Sequence, residues 1–285
     1  MSNRLLTDNI LNQVKAMAGV PVSQGRFSDA NLLLMLKDVV DTIIFPMIIK
    51  ARSNHNEVRE TVTSDSDGVI TIPTRSYLNG FTKLKNTSNE IFLNEVPESA
   101  NENSYESYYF LGDQVIVTPQ SQDFEMTYTQ RPPQFQLESV SPKVVSFNPT
   151  TRQVEVDVAT FESDMDIVKA NGYTRATNIG RTSTVSSTVF ILAGTAVPVV
   201  GEYITEAETS PLLPIPQEVV GYVTRILCSR ILQDIPDPEG LKVSMEIESV
   251  MRENVLEVLK PRGRRASVMA KKPFINNNYR YRRSV

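Results

Sequence analysis

The sequence predicts a mixed α+β protein in which N- and C-terminal helices form a four-helix bundle, separated by a long antiparallel β insertion that is barrel- or sandwich-like. Apolar residues recur at spacings of three and four near both ends of the chain. Between the ends, short β-rich runs are separated by Gly, Pro, Asn and Asp. Because these strands are clustered and do not alternate with helices, a parallel βαβ sheet is excluded.

The changes in hydrophobic period divide the chain into five segments. Residues 1–55 hold the N-terminal helices, 56–135 a first β unit, 136–210 a second β unit, 211–260 the C-terminal helices, and 261–285 an extended arm. Prolines at 211, 214 and 216 mark the return to helix, since each biases its predecessor away from helical geometry.

The helices are bounded by cap and proline signals. The first ends at Gly19, and the second begins after Ser28, a favourable N-cap, and continues to about Ile49. Pro46 is expected to kink the second helix or end it early. The last helix stops at Pro261, and its buried face is predicted to consist of Val243, Ile247, Val250, Met251, Val255 and Val258.

The first β unit opens with a predicted hairpin, residues 58–63 and 69–72, around an Asp65-Ser66-Asp67-Gly68 turn. This turn is not a calcium loop, because Thr63 and Thr74 stand where such a loop needs carboxylates. Further strands are predicted over residues 80–84, 91–93, 107–111, 114–118 and 124–130, then 144–147, 154–158, 182–192 and 199–205.

Charge is distributed very unevenly. The last 26 residues contain nine Lys or Arg and no carboxylate, which leaves 20 basic and 33 acidic residues before them, a net charge of −13. Phe274, Ile275, Tyr279 and Tyr281 are interleaved with the basic residues. Anchors of this kind indicate a docking arm, and its partner is either nucleic acid or an acidic protein groove.

The sequence offers few candidates for catalytic or metal-binding residues. No apolar stretch is long enough for a transmembrane helix and the start lacks an apolar signal region, so we expect an intracellular protein with no membrane contact. The only histidine, His55, is interpreted as a surface residue at a helix end, and the only cysteine, Cys228, as a small core residue. Asp164 and Asp166 are interpreted as solvated loop carboxylates. We therefore predict no catalytic residues, no metal, no cofactor and no enzymatic activity.

Several short motifs resemble the head-to-tail adaptor (connector) proteins of tailed bacteriophages. They are Ile72-Pro73-Thr74-Arg75, Gly112-Asp113, Tyr128-Thr129-Gln130-Arg131-Pro132-Pro133, Leu213-Pro214-Ile215-Pro216-Gln217-Glu218 and Lys260-Pro261-Arg262. Each motif is weak alone, and their order along most of the chain carries the resemblance.

The resemblance implies a structural protein of the virion neck, made in the host cytoplasm. It would form a homo-oligomeric ring of about twelve copies between the portal and the tail or a second neck ring. DNA would pass its acidic body with only transient contact. The arm would grip the portal through Arg262, Arg264, Arg265, Lys271, Lys272, Phe274, Tyr279, Arg280, Tyr281, Arg282 and Arg283. The alternative hypothesis is a nucleic-acid-binding module that acts through the same arm.

Overall fold

The computed structural model describes residues 4–20, 25–98, 106–112, 114–159, 164–235 and 237–260. The helices are α1 (Thr7–Ala18), α2 (Asp29–Val39), α3 (Phe45–Ala51), α4 (Val220–Asp234) and α5 (Pro238–Leu259). A π-helical turn, Val40–Ile44, joins α2 to α3, so helical structure continues past Pro46. The Ser28 hydroxyl caps α2, as predicted, by accepting a hydrogen bond from the Asn31 amide.

Sixteen strands lie between the two helical regions in the described part of the chain. In the first β unit they are β1 (Glu57–Thr63), β2 (Val69–Ile70), β3 (Lys83–Asn86), β4 (Asn94–Glu95), β5 (Ser107–Leu111), β6 (Gln114–Thr118), β7 (Asp123–Thr129) and β8 (Gln134–Phe135). The others are β9 (Val144–Asn148), β10 (Gln153–Val156), β11 (Met165–Val168), β12 (Thr174–Ile179), β13 (Arg181–Ser186), β14 (Val189–Leu192), β15 (Tyr203–Glu206) and β16 (Thr209–Ser210).

The strands form five sheets. Two of them, in the orders β1-β7-β3 and β2-β6-β5-β4, share a core that includes Phe124, Met126 and Val117. Two others, β13-β14-β10-β9 and β12-β11-β15, share a second core that includes Phe190 and Ile167. The fifth is the parallel pair β8 and β16.

The predicted hairpin of residues 58–63 and 69–72 is wrong. β1 pairs with β7 and β2 pairs with β6, so the two segments belong to different sheets. The turn between them forms as expected, with the Asp65 carboxylate accepting hydrogen bonds from the Asp67 and Val69 amides. Instead of reversing the chain within one sheet, this turn carries it from one sheet to the other.

The prediction of a four-helix bundle with one β insertion is also wrong, although the chain does mix α and β structure. The strand-bearing region, residues 57–210, builds two separately packed β cores. The helices pack around α4, but their core also contains Phe135, Val168 and Tyr203 from β8, β11 and β15. The helical layer is therefore completed by strands of both β units and is not a free-standing bundle.

The face of α5 that is buried differs from the predicted one. Ser244, Val255 and Leu259 are buried and Met251 is partly buried, whereas Val243, Ile247, Val250 and Val258 are 37% to 60% exposed. None of the helices in the described residues combines the length and hydrophobicity that a membrane span requires.

Candidate functional site

An ion pair of Arg75 and Asp166 is buried between the two β units. Arg75 follows β2, and Asp166 lies in β11. Arg75 Nη1 donates to Asp166 Oδ2 at 2.5 Å and Nη2 donates to Oδ1 at 3.1 Å. Both residues are buried, with 7% and 1% of their surfaces exposed. This bidentate geometry is the strongest that a guanidinium and a carboxylate can adopt.

Neighbouring groups add further hydrogen bonds to this ion pair. The backbone amides of Asn178 and Glu208 donate to the Asp166 carboxylate at 3.1 and 2.9 Å, and Arg75 Nη2 also donates to Asn178 Oδ1 at 2.8 Å. Arg131 donates to the Glu208 carboxylate. We call these five residues, Arg75, Asp166, Asn178, Glu208 and Arg131, the ion-pair junction.

The junction brings together two motifs that carried the resemblance. Arg131 N donates to Arg75 O at 2.8 Å, and Ser76 and Gln130 form an isolated antiparallel bridge. The segments that end in Arg75 and begin at Tyr128 are therefore adjacent, although more than 50 residues separate them in the sequence.

A groove of about 360 Å³ opens beside the junction. Its charged side chains are of both signs in equal number, so it does not favour one sign of ligand. They are Lys37, Arg75, Arg131, Asp41, Asp166 and Glu208. Lys37 Nζ donates hydrogen bonds to the Asp41 carboxylate and to the carbonyl of Pro132.

The chemistry open to Asp166 is limited by these contacts. Both of its oxygens accept two hydrogen bonds, so the interpretation of Asp166 as a solvated loop carboxylate is wrong. Asp164 is exposed and lies outside the junction. Within the described ranges, no group of three His, Cys, Asp or Glu residues is arranged to hold a metal ion. The junction is best suited to holding the two β units in one orientation.

His55 lies in a second junction and is not a surface residue, contrary to the prediction. Its Nε2 is 3.0 Å from the carbonyl oxygen of Pro214, and its Nδ1 is 3.1 Å from the Tyr173 hydroxyl. Because a carbonyl only accepts, Nε2 carries the proton and Nδ1 accepts from Tyr173. Burial lowers the pKa of His55, the hydrogen bond to Pro214 opposes that shift, and nearby Arg52 adds to the lowering.

The second junction joins three parts of the chain. His55 follows α3, Tyr173 lies between β11 and β12, and Pro214 precedes α4. Gly172 approaches the same segment so closely that a Cβ would lie 2.4 Å from the Leu213 carbonyl oxygen. The backbone of Gly172 also has a φ of +86°, which favours glycine.

The remaining candidates occupy different places. Cys228 is buried in α4, which confirms its interpretation as a core residue. The arm, residues 261–285, lies outside the described residues together with every predicted portal contact: Arg262, Arg264, Arg265, Lys271, Lys272, Phe274, Tyr279, Arg280, Tyr281, Arg282 and Arg283. The arm begins directly after α5, where Arg52 Nε donates to the Leu259 carbonyl at 3.2 Å.

Arg75 belongs to one of the motifs of the resemblance and Asp166 to the acidic pair with Asp164, but no sequence pattern connects the two residues. They are 91 residues apart and belong to different β units, so no spacing within the sequence relates them. Comparison with protein-family models and with curated proteins found no match to this chain.

Proposed function

We propose that this protein is a head-to-tail adaptor of a tailed bacteriophage, a non-catalytic ring subunit that joins the portal to the tail in the virion neck. The observation that supports the proposal most is the meeting of the Arg75 and Arg131 motifs at one junction. The two motifs are short and distant in sequence, but both contribute to this junction. In this proposal the junction sets the angle between the two β units.

The exposed face of α5 supports assembly with other chains. A row of four apolar residues on one helix is more than the scattered single exposures that are usual for monomers. Since ring subunits must bury surface against neighbours, this face suits a protein that is completed by other subunits.

The charge distribution supports a position on a DNA channel. The body before residue 260 carries a net charge of −13, and like charge reduces the adhesion of phosphates that slide past it. The arm would hold the portal through its basic and aromatic residues, and a second neck ring or tail protein would contact the opposite side. In this proposal DNA contact is transient and no cofactor takes part.

A nucleic-acid-binding module is the second candidate, because aromatic and basic residues alternate in the arm. The acidic body argues against it, since DNA-binding domains usually carry basic residues on a folded face.

Electron microscopy of nuclease-treated complexes recovered through this protein from its native source tests the proposal. The intact chain is compared with a chain that ends at Leu259. We expect rings or portal-bearing particles with the intact chain and their loss on truncation.

Recovery of nucleic acid without symmetric particles would favour the binding module and overturn the adaptor proposal. Particles that still incorporate the truncated chain would show that the arm is not the portal contact.

A further inference from the structure

Two parallel rows of side chains run along the outer face of α5. The apolar row is Val243, Ile247, Val250 and Val258, and each member is exposed. The acidic row beside it is Glu239, Glu246, Glu253 and Glu257, also exposed. Members of each row are three, four, seven or eight residues apart, spacings that place them on one side of a helix.

The two rows lie side by side because their members interleave. Glu246 is three residues after Val243 and four before Val250, and Glu253 is three residues after Val250. The buried side of α5, with Ser244, Val255 and Leu259, points elsewhere. The helix therefore presents a strip that is apolar along one edge and negatively charged along the other.

We propose that, in the unassembled protein, the arm of the same chain folds back along α5 and covers this strip. The arm supplies the complementary chemistry, since it has basic residues and no carboxylate, with Phe274, Ile275, Tyr279 and Tyr281 as apolar anchors. The aromatic side chains pack on the apolar row, and the cations pair with the acidic row.

The length of the arm fits this path. From Val243 to Val258 the apolar row spans about 22 Å at 1.5 Å per residue. The 14 residue-to-residue steps from Lys260 to Phe274 extend up to roughly 46 Å at 3.3 Å per step. Pro261 and Gly263 are residue types that are common where a chain reverses direction. The tether is therefore long enough for Phe274 to reach every member of the apolar row.

Because the arm is covalently attached to α5, the chain's own arm occupies the strip more readily than the arm of another molecule. A short tether gives an effective concentration of the order of millimolar. A second copy that placed its own α5 on this strip would bring two acidic rows together, which is unfavourable. The covered state keeps the apolar row from water and withholds the arm until another surface competes for it.

A fluorescence measurement on the isolated full chain tests this inference, because the protein contains no tryptophan. Phe274→Trp introduces a single indole into the arm. In the covered state we expect blue-shifted emission and slow acrylamide quenching, both unchanged on dilution. When Glu246→Lys and Glu253→Lys are combined with Phe274→Trp in the same chain, we expect red-shifted emission and faster acrylamide quenching.

Matched charge reversals at Asp67→Lys and Glu90→Lys, exposed residues of the first β unit, are expected to leave the emission unchanged. Circular dichroism checks that each variant remains folded. An indole that is exposed in the Phe274→Trp chain without the charge reversals, or whose burial does not change with the α5 reversals, would overturn the inference. Burial that is lost on dilution would assign the strip to a second copy and would also overturn it.

The inference does not depend on the proposed function. The measurement uses no portal and no particle, so its failure leaves the adaptor proposal standing. Failure of the particle experiment likewise leaves the fluorescence result unchanged.

Discussion

The hydroxyls of Ser229 in α4 and Ser244 in α5 lie 2.9 Å apart in the buried seam between the two helices. This pair favours one rotation of α5, since any other rotation breaks the hydrogen bond between the two hydroxyls and leaves Ser229 only its bond to the Arg225 carbonyl. In that rotation Val243, Ile247 and Val250 face outward. Ser244 thus explains why the most regular apolar row in α5 is not its buried face.

Ser244→Leu is expected to destabilise the protein by about 1 to 3 kcal/mol, because a larger side chain does not fit the seam. Ser249→Leu, on the exposed side of the same helix, should change stability by less than about 0.5 kcal/mol. Urea unfolding measures both. Equal effects would mean that α5 has a different rotation.

Asp166→Ala is expected to lower the free energy of unfolding by about 3 kcal/mol, because it removes the bidentate partner of the buried Arg75 guanidinium and leaves only the Glu208 carboxylate, 3.9 Å away. Asp164→Ala, an exposed carboxylate two residues away, is the control and should cost less than about 0.5 kcal/mol. Thermal unfolding compares the two variants. If the double variant Arg75→Met with Asp166→Leu recovers much of the lost stability, the destabilisation in Asp166→Ala arises from the buried Arg75 cation that has lost its bidentate partner.

The stability of the protein should fall as the pH drops below the ordinary His55 pKa of 6.5, since burial lowers this pKa in the folded state. The unfolded chain then binds a proton that the folded chain does not. Arg52 and Lys169 border the site and oppose a positive charge on His55, whereas Glu57 favours it.

The test compares the free energy of unfolding at pH 7 and pH 5.5. His55→Gln removes the titration while keeping a polar side chain, so the fall between the two pH values should be smaller in this variant. Because the chain has one histidine, no second imidazole contributes. An identical fall in both proteins would contradict the prediction.

Gly172→Ala is expected to destabilise more than Gly194→Ala, by roughly 2 kcal/mol. Both glycines have positive φ, which costs an alanine about 1 to 2 kcal/mol at either position. Only at Gly172 does the new Cβ meet the Leu213 carbonyl, whereas nothing lies within 4 Å at Gly194. Melting temperatures of the two variants provide the comparison, and similar values would rule out the close approach.

Local signals in the sequence predicted local structure well. Residues 107–111 and 114–118 are predicted as strands from their β-rich composition, and β5 and β6 have those bounds and pair antiparallel. The cap at Ser28 was equally predictable, because the Asn31 amide is its near neighbour.

Contacts between distant residues were not predictable. The partners of β1 and β2 come about 45 to 70 residues later in β7 and β6, so the turn at Asp65 could not reveal that the strands diverge. His55 is buried only because Tyr173 and Pro214 converge on it. The all-buried β11 was missed because Asp166 breaks its apolar pattern, and its partner Arg75 lies in another unit.

The short parallel pair β8 and β16 places the entry and exit of the second β unit next to each other, with Gln134 N donating to Glu208 O and Gln136 N to Ser210 O. Neighbouring strands are about 4.8 Å apart, and a parallel pair needs a crossover connection, which the second β unit supplies. The second β unit is thus an insertion whose two ends are adjacent. A replacement for it must therefore begin and end at the same two points, pair with Arg75 and His55, and fill the places of Val168 and Tyr203 in the helical core.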